Sequence, residues 1–152
     1  TSYDLKDRTS TLRLDTKIGY IFNGDSPTFN RFTLGGRSMR GFDFMTISPK
    51  GTPRVSGGPT DVSIGGTWEL FIGAQYEIPL LDRFISMVVF CDSGTVTDSP
   101  GFDEYRVSVG SGIRLHIPQL GNAPLAFDFG FPVVKQETDE KSVFSFSVQL
   151  PF

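Results

Sequence analysis

Six segments of the chain alternate apolar and polar residues with a period of two, the pattern of strands with one apolar face. In residues 11–22, Leu12, Leu14, Ile18, Tyr20 and Phe22 share one face, and Arg13, Asp15, Lys17 and Gly19 share the other. Residues 67–78 set Trp68, Leu70, Ile72, Ala74, Tyr76 and Ile78 against Glu69, Gln75 and Glu77. Residues 84–96 set Ile85, Met87, Val89 and Cys91 against Ser86, Asp92 and Gly94, with Val88 and Phe90 on the Asp92 side. Residues 106–117 oppose Val107, Val109, Ile113, Leu115 and Ile117 to Arg106, Ser108, Gly110, Gly112, Arg114 and His116. Residues 124–132 oppose Phe127, Phe129 and Phe131 to Ala126, Asp128 and Gly130. In residues 143–152, Phe144, Phe146, Val148, Leu150 and Phe152 face away from Ser145, Ser147 and Gln149.

Each segment has about the length of a tilted membrane strand, roughly 9–11 residues. Long Lys and Glu side chains would dominate a polar face that meets bulk water. Here that face mixes Gly, Ser and isolated Arg, Asp and His, which suits a narrow polar lumen with the apolar face turned to lipid. A half-buried sheet in a soluble sandwich alternates in the same way, so periodicity alone leaves both architectures open. Connection lengths narrow the choice. Residues 23–66 form a very long loop, 79–83 a tight turn, 97–105 a longer acidic loop, 118–123 a turn, and 133–142 a charged stretch. Outer-membrane barrels alternate long outside loops with short periplasmic turns in this manner. Six strands are too few to close a barrel, which needs about eight. An open edge cannot face lipid, because unpaired backbone groups there cost several kcal/mol each. On the membrane reading the chain is therefore the C-terminal part of a larger barrel, or it needs partner chains. It opens Thr1-Ser2-Tyr3 with neither Met nor a signal peptide, as expected of a processed chain or a fragment.

Composition agrees with an all-β chain. Ala74, Ala123 and Ala126 are the only alanines among 152 residues, while Phe numbers 15 and Gly 17; such a chain disfavours helices. No apolar run approaches the ~18 residues of a membrane helix. A net charge of -3 gives no basic stripe, so no nucleic-acid partner is expected. Cys91 stands alone, so no intrachain disulfide and no cysteine-based metal site is expected.

The long loop carries Leu34-Gly35-Gly36-Arg37-Ser38-Met39-Arg40-Gly41-Phe42. Loops of this length in compact proteins are usually functional or disordered. Gly35, Gly36 and Gly41 permit tight backbone conformations, and Arg40 offers a planar fork for a carboxylate. Residues 23–40 can extend roughly 50 Å at ~3.3 Å per residue, far enough for the tip to fold back into a lumen. Asp92, inward on the third segment, is the natural partner, with Gln75 and Glu77 inward on the neighbouring segment.

These residues carry a family resemblance. Arg40-Gly41-Phe42 after a Gly-Gly pair resembles the Arg-Gly-Phe/Tyr motif of the BamA-type superfamily of outer-membrane β-barrel assembly factors, also called the bacterial surface antigen family. Phe90-x-Asp92-x-Gly94 resembles the strand motif that holds the loop arginine there. Gly65-Gly66 and the strand ending Tyr76-Glu77-Ile78-Pro79-Leu80 resemble the preceding strand, and terminal Phe152 resembles a C-terminal outer-membrane signal. The resemblance spans residues 11 to 152. It implies an antiparallel transmembrane β-barrel of about sixteen strands, of which this chain carries the last six, in the bacterial outer membrane. The N-terminal strands and periplasmic POTRA domains are then absent from it. The implied activity is folding and inserting outer-membrane β-proteins through a lateral seam between first and last strands. The implied partners are outer-membrane lipid, unfolded client proteins and accessory lipoproteins, with no cofactor and no metal. Arg40 is implied to anchor on Asp92 beside Gly94, and Phe144, Phe146, Val148, Leu150, Pro151 and Phe152 to form the seam strand and its signal. Pro151 lacks an N–H, which weakens pairing at that end. Met39 and Gln75 depart from the family pattern, which usually has a branched aliphatic residue before the arginine and a glutamate on the strand; Glu77 is an alternative second acid.

Other readings remain at this stage. A polypeptide-secreting transporter of the two-partner type belongs to the same superfamily. Asp92-Ser93-Gly94-Thr95 also resembles the Asp-Ser/Thr-Gly loop of aspartic proteases, for which a soluble homodimer would supply the second carboxylate. Gly110-Ser111-Gly112 lacks nucleophile-elbow spacing, and Gly35-Gly36 lacks the Lys-Ser/Thr pair of a phosphate loop. His116 is the sole histidine and reads as a lumen-facing polar residue. The row Phe127, Phe129 and Phe131 reads as one face of a strand, and the 135–141 charge run as a solvated loop. No enzymatic constellation is expected.

Overall fold

The computed structural model describes residues 2–5, 10–22, 27–51, 62–81, 84–102, 104–116, 124–137 and 139–148. All six alternating segments contain strands. They are β2 (Ser10–Tyr20), β4 (Trp68–Leu81), β5 (Ile85–Thr97), β6 (Arg106–His116), β7 (Pro124–Val134) and β9 (Phe144–Val148). A further short strand, β1 (Ser2–Leu5), precedes them and pairs with β2. With only Tyr3 and Leu5 to alternate, it is too short to give a periodic signal. The strands form one seven-stranded antiparallel sheet in the order β1-β2-β4-β5-β6-β7-β9. The strands of this sheet follow one another in chain order, as in a meander. Among the described residues β1 and β9 do not pair, so the sheet is open. The 118–123 turn and Leu150, Pro151 and Phe152 lie outside the described residues.

The sheet is inverted relative to a water-soluble one. Along β5 the side chains of Ser86, Val88, Phe90 and Asp92 are buried, while Met87, Val89 and Cys91 are exposed. β6 buries Arg106, Ser108 and Arg114 and exposes Val109 and Ile113. β7 buries Ala126 and Asp128 and exposes Phe129 and Phe131. Asp92 is 2% exposed and Phe131 55%. A soluble sandwich does the reverse, because buried charge costs several kcal/mol unless paired. A continuous outward apolar face with a polar interior is the composition of a membrane barrel wall.

The long loop covers the polar face. A 3-10 turn at Thr28–Asn30 leads into a compact fold held by bridges Phe32↔Gly66, Leu34↔Ile47 and Lys50↔Ser63. Leu34, Met39, Phe42, Ile47 and Val96 form its buried apolar cluster, flanked by Phe32 and Phe71. The loop is thus a packed plug whose small core is shared with the sheet, through Val96 of β5 and Phe71 of β4. The 135–141 stretch is a solvated loop only in part: Lys135, Glu137, Glu140 and Lys141 are exposed. Asp139 is buried, and Lys141–Ser142 form β8, paired with β3 (Gly41–Phe42) of the loop. A count of charges misses this, since the apolar positions that would flag a strand are lacking there.

Candidate functional site

The inward-facing rows of the sheet can be read across the strands. One row runs Gln75, Phe90, Gly110, Gly130, and the next runs Gly73, Asp92, Ser108, Pro132. Glycines at 110 and 130 lower the floor of the first row, and the loop tip fills that space. Gly41 has φ +91, a conformation only glycine adopts readily. A Cβ on Gly130 would lie 2.6 Å from the Gly41 nitrogen. Loop and β7 therefore meet backbone to backbone, and no larger residue fits at either position without displacement.

This contact sets Arg40 over the floor. Its Nε donates to Asp92 Oδ2 at 2.8 Å and its Nη2 donates to Asp92 Oδ1 at 2.8 Å. The backbone N–H of Arg40 also donates to Asp92 Oδ2, at 3.2 Å. Nη1 donates to Gln75 Oε1 at 2.8 Å. The guanidinium carbon lies 3.6 Å from the centroid of the Phe90 ring, within cation–π range. Ser108 Oγ donates to the Arg40 carbonyl at 2.5 Å. Together these contacts engage the guanidinium edge, its face and the backbone, so a flexible side chain is confined to one geometry.

A second buried pair adjoins the first. Arg114 Nη1 donates to Asp128 Oδ1 at 2.6 Å and Nη2 donates to Oδ2 at 3.1 Å. Asp128 Oδ2 also lies 3.9 Å from Arg40 Nη1. Two arginines and two aspartates thus form one compensated network, the arrangement that permits charge away from water.

Of the residues singled out from sequence, Gly41, Asp92 and Gln75 meet Arg40 directly or through its backbone. Gly94 lies farther along β5, paired with Phe71 and Arg106, and a Cβ there would approach Leu34 of the plug at 3.0 Å. Gly35 and Gly36 shape the turn before Arg40, where the Gly36 N–H donates to the Phe42 carbonyl at 2.9 Å. Phe42 is in the plug core. Glu77 is two positions beyond Gln75, opposite Val88, and the described contacts of Arg40 do not include it. Phe144 and Phe146 are exposed on the edge strand, packed against Phe129 and Phe127. Sequence reasoning did not assign Ser108, Asp128 or Gly130 to the site. The available signal was positional: Asp128 and Gly130 alternate onto the same face as Asp92, between phenylalanines that face outward.

Asp92 has both oxygens occupied by a guanidinium. That is unlike the paired carboxylates sharing a proton in an aspartic protease, and the exposed apolar rows are unlike a soluble dimer.

A family model described as the Omp85 superfamily domain matches residues 2–152. The outer membrane protein assembly factor BamA of Neisseria meningitidis serogroup B is 24% identical over 178 residues, spanning 95% of this chain and 22% of that protein. BamA of Nitratidesulfovibrio vulgaris is 34% identical over 116 residues, spanning 72% of this chain and 14% of that protein. A crystal structure of Haemophilus ducreyi BamA lacking POTRA domains 1–3 superposes with a TM-score of 0.75 at 23% identity, covering 90% of this chain and 30% of that one. The chain thus spans less than a third of the length of each of these proteins. An inverted antiparallel sheet, a plug tip bearing Arg40-Gly41-Phe42 and a match along nearly the whole length lead to one conclusion: the chain belongs to the Omp85 superfamily.

Proposed function

We propose that the protein bearing this chain folds and inserts outer-membrane β-barrel proteins, and that residues 1–152 are the C-terminal portion of its outer-membrane barrel. Further strands, to a total of about sixteen, and periplasmic POTRA domains belong to the rest of the protein on this reading. The observation that carries it is the seating of Arg40 on Asp92 and Gln75 inside a sheet whose apolar side faces outward. Two relatives that bear the name outer membrane protein assembly factor support it.

The proposed mechanism needs no cofactor and no catalytic residue. The barrel closes by pairing its first strand with the strand that contains Phe144–Val148. A seam short of hydrogen bonds opens sideways and presents an edge on which a client strand pairs by β-augmentation. Burying the client's apolar face in lipid drives the exchange. Arg40 holds the plug rigid on the lumen side meanwhile. The lipid bilayer, unfolded client barrels and accessory lipoproteins are the proposed partners.

Depletion of the full-length protein tests this. Client barrels are expected to lose their heat-modifiable folded form and accumulate unfolded, and Arg40→Ala is expected to reproduce part of that defect. Loss of one secreted polypeptide with normal assembly of other barrels would assign the protein to the secretion branch of the superfamily instead.

A further inference from the structure

The terminal strand is diverted before it reaches the outer end of the sheet. Among the described residues β9 pairs with β7 over Phe144–Val148, opposite Phe129–Leu125, and the Gly130 N–H donates to the Val143 carbonyl at 2.8 Å. β7 continues to Val134, paired there with β6. Ahead of Val143 the chain turns inward, and Lys141–Ser142 pair with the plug as β8.

This inward segment is fastened at several points that the Arg40 anchor does not use. The Asp43 N–H donates to the Glu140 carbonyl at 3.0 Å. The Glu140 N–H donates to Thr46 Oγ1 at 2.9 Å. Asp139, whose side chain is fully buried, receives Arg106 Nε at 2.9 Å, Arg106 Nη2 at 3.2 Å and the Gln136 N–H at 2.8 Å. The remaining Arg106 Nη1 donates to the Glu104 carbonyl at 2.6 Å. Pulling Asp139 away would strand two charges in a buried site, the costliest way to open such a contact. Along Phe144–Val148 the described contacts are the backbone ladder with β7 and the ring contacts of Phe144 and Phe146, with no buried ion pair among them.

We propose that Asp139 and residues 139–142 are a strap that fixes the outer end of the terminal strand to the plug, so that the seam opens from the strand's C-terminal end while its outer end stays closed. Asp139 acts here as a positioning residue, through Arg106 and the Glu140 backbone. The inference rests on the lateral-seam reading above and adds a direction to it: an incoming strand pairs first near Ser147 and stops short of Val143.

The test uses the full-length protein in a Cys91→Ala background. Asp43 and Glu140 are exposed and joined by a backbone hydrogen bond from the Asp43 N–H to the Glu140 carbonyl, which brings the two backbones close enough to try an engineered disulfide. Asp43→Cys with Glu140→Cys locks the strap. The oxidised protein is expected to assemble client barrels as fast as the reduced one. Assembly that stops on oxidation and returns with reductant would overturn the strap. If depletion of the protein leaves client barrels unaffected, the functional reading itself has failed, whatever the lock does. A photo-reactive residue supplies the second measurement. At Ser147 it is expected to capture client strands, and at Val143 to capture them only when Asp139→Asn has released the strap. Equal capture at both positions in the otherwise unaltered protein would refute the proposal.

Discussion

Asp92 receives three N–H groups of Arg40, two from the guanidinium and one from the backbone, across 52 residues of sequence. A side-chain pair alone would tether a long, flexible residue. The backbone contact fixes the chain at the very residue that supplies the charge, so the anchor sets the position of the plug as well as its charge balance.

Asp92→Asn is therefore expected to cost up to about 3–5 kcal/mol, since it leaves a mostly buried guanidinium with only the more distant Asp128 as counter-charge. Arg40→Lys keeps the charge but loses the fork and the stacking on Phe90, and should fall between wild type and Arg40→Ala. The combined Arg40→Ala, Asp92→Ala variant should cost clearly less than the two single changes added together. Urea titration of the full-length barrel, read by heat-modifiable gel mobility, measures all of these. Additive losses would show that the pair is not coupled.

Much of this arrangement is legible in the sequence, and the reason is geometric. On β5 a period of two puts Asp92 on the same face as Ser86 and Gly94, so one strand suffices to orient the acid. The resemblance at Arg40-Gly41-Phe42 then names its partner. What alternation cannot give is the offset between strands. Gln75 and Glu77 share a face, and only the register, which puts Gln75 opposite Phe90 and Glu77 opposite Val88, decides which one meets the arginine. Asp139 was hidden for a different reason. It sits among Glu137, Glu140 and Lys141, where composition reads as solvent-facing charge, and its burial depends on Arg106 arriving from another strand.

The second charge pair is expected to behave differently from the first. Asp128→Asn leaves Arg114, which is 2% exposed, without a full counter-charge and should cost about 3–5 kcal/mol. Replacing both, as Arg114→Met with Asp128→Leu, should be close to neutral for stability, because a buried pair often does little better than an apolar substitute. Arg40 still has Asp92 in that double variant, so protease resistance of the plug is expected to persist. A plug that becomes cleavable would show that Asp128 at 3.9 Å is a necessary part of the anchor.

Gly130→Ala tests the floor of the site. The added methyl would lie 2.6 Å from the Gly41 nitrogen, and overpacking of this kind typically costs about 1–3 kcal/mol. The sheet itself has room to keep its register, so the loss should appear as plug exposure rather than as unfolding of the barrel. Limited proteolysis between β2 and β4, compared with the unfolding midpoint, separates the two. Gly130→Ala with an unmoved plug would mean that the backbone contact is looser than this geometry requires.

The outward face gives the sharpest division between membrane and water. Phe129 stands at the middle of β7 and is 45% exposed, and Val134 ends the strand at 46%. In water, charges at two equally exposed positions would each change stability by about 0.5 kcal/mol or less. In a bilayer the cost depends on depth: about 2–4 kcal/mol for arginine at the midplane, and about 0–1 near the interface. Phe129→Arg is expected to be severe and Val134→Arg mild, with Phe129→Leu as the control for loss of the ring and its contact with Phe144. Unfolding of the full-length barrel in lipid vesicles measures the difference. Equal, small effects at both positions would mean that the exposed phenylalanine rows do not meet acyl chains.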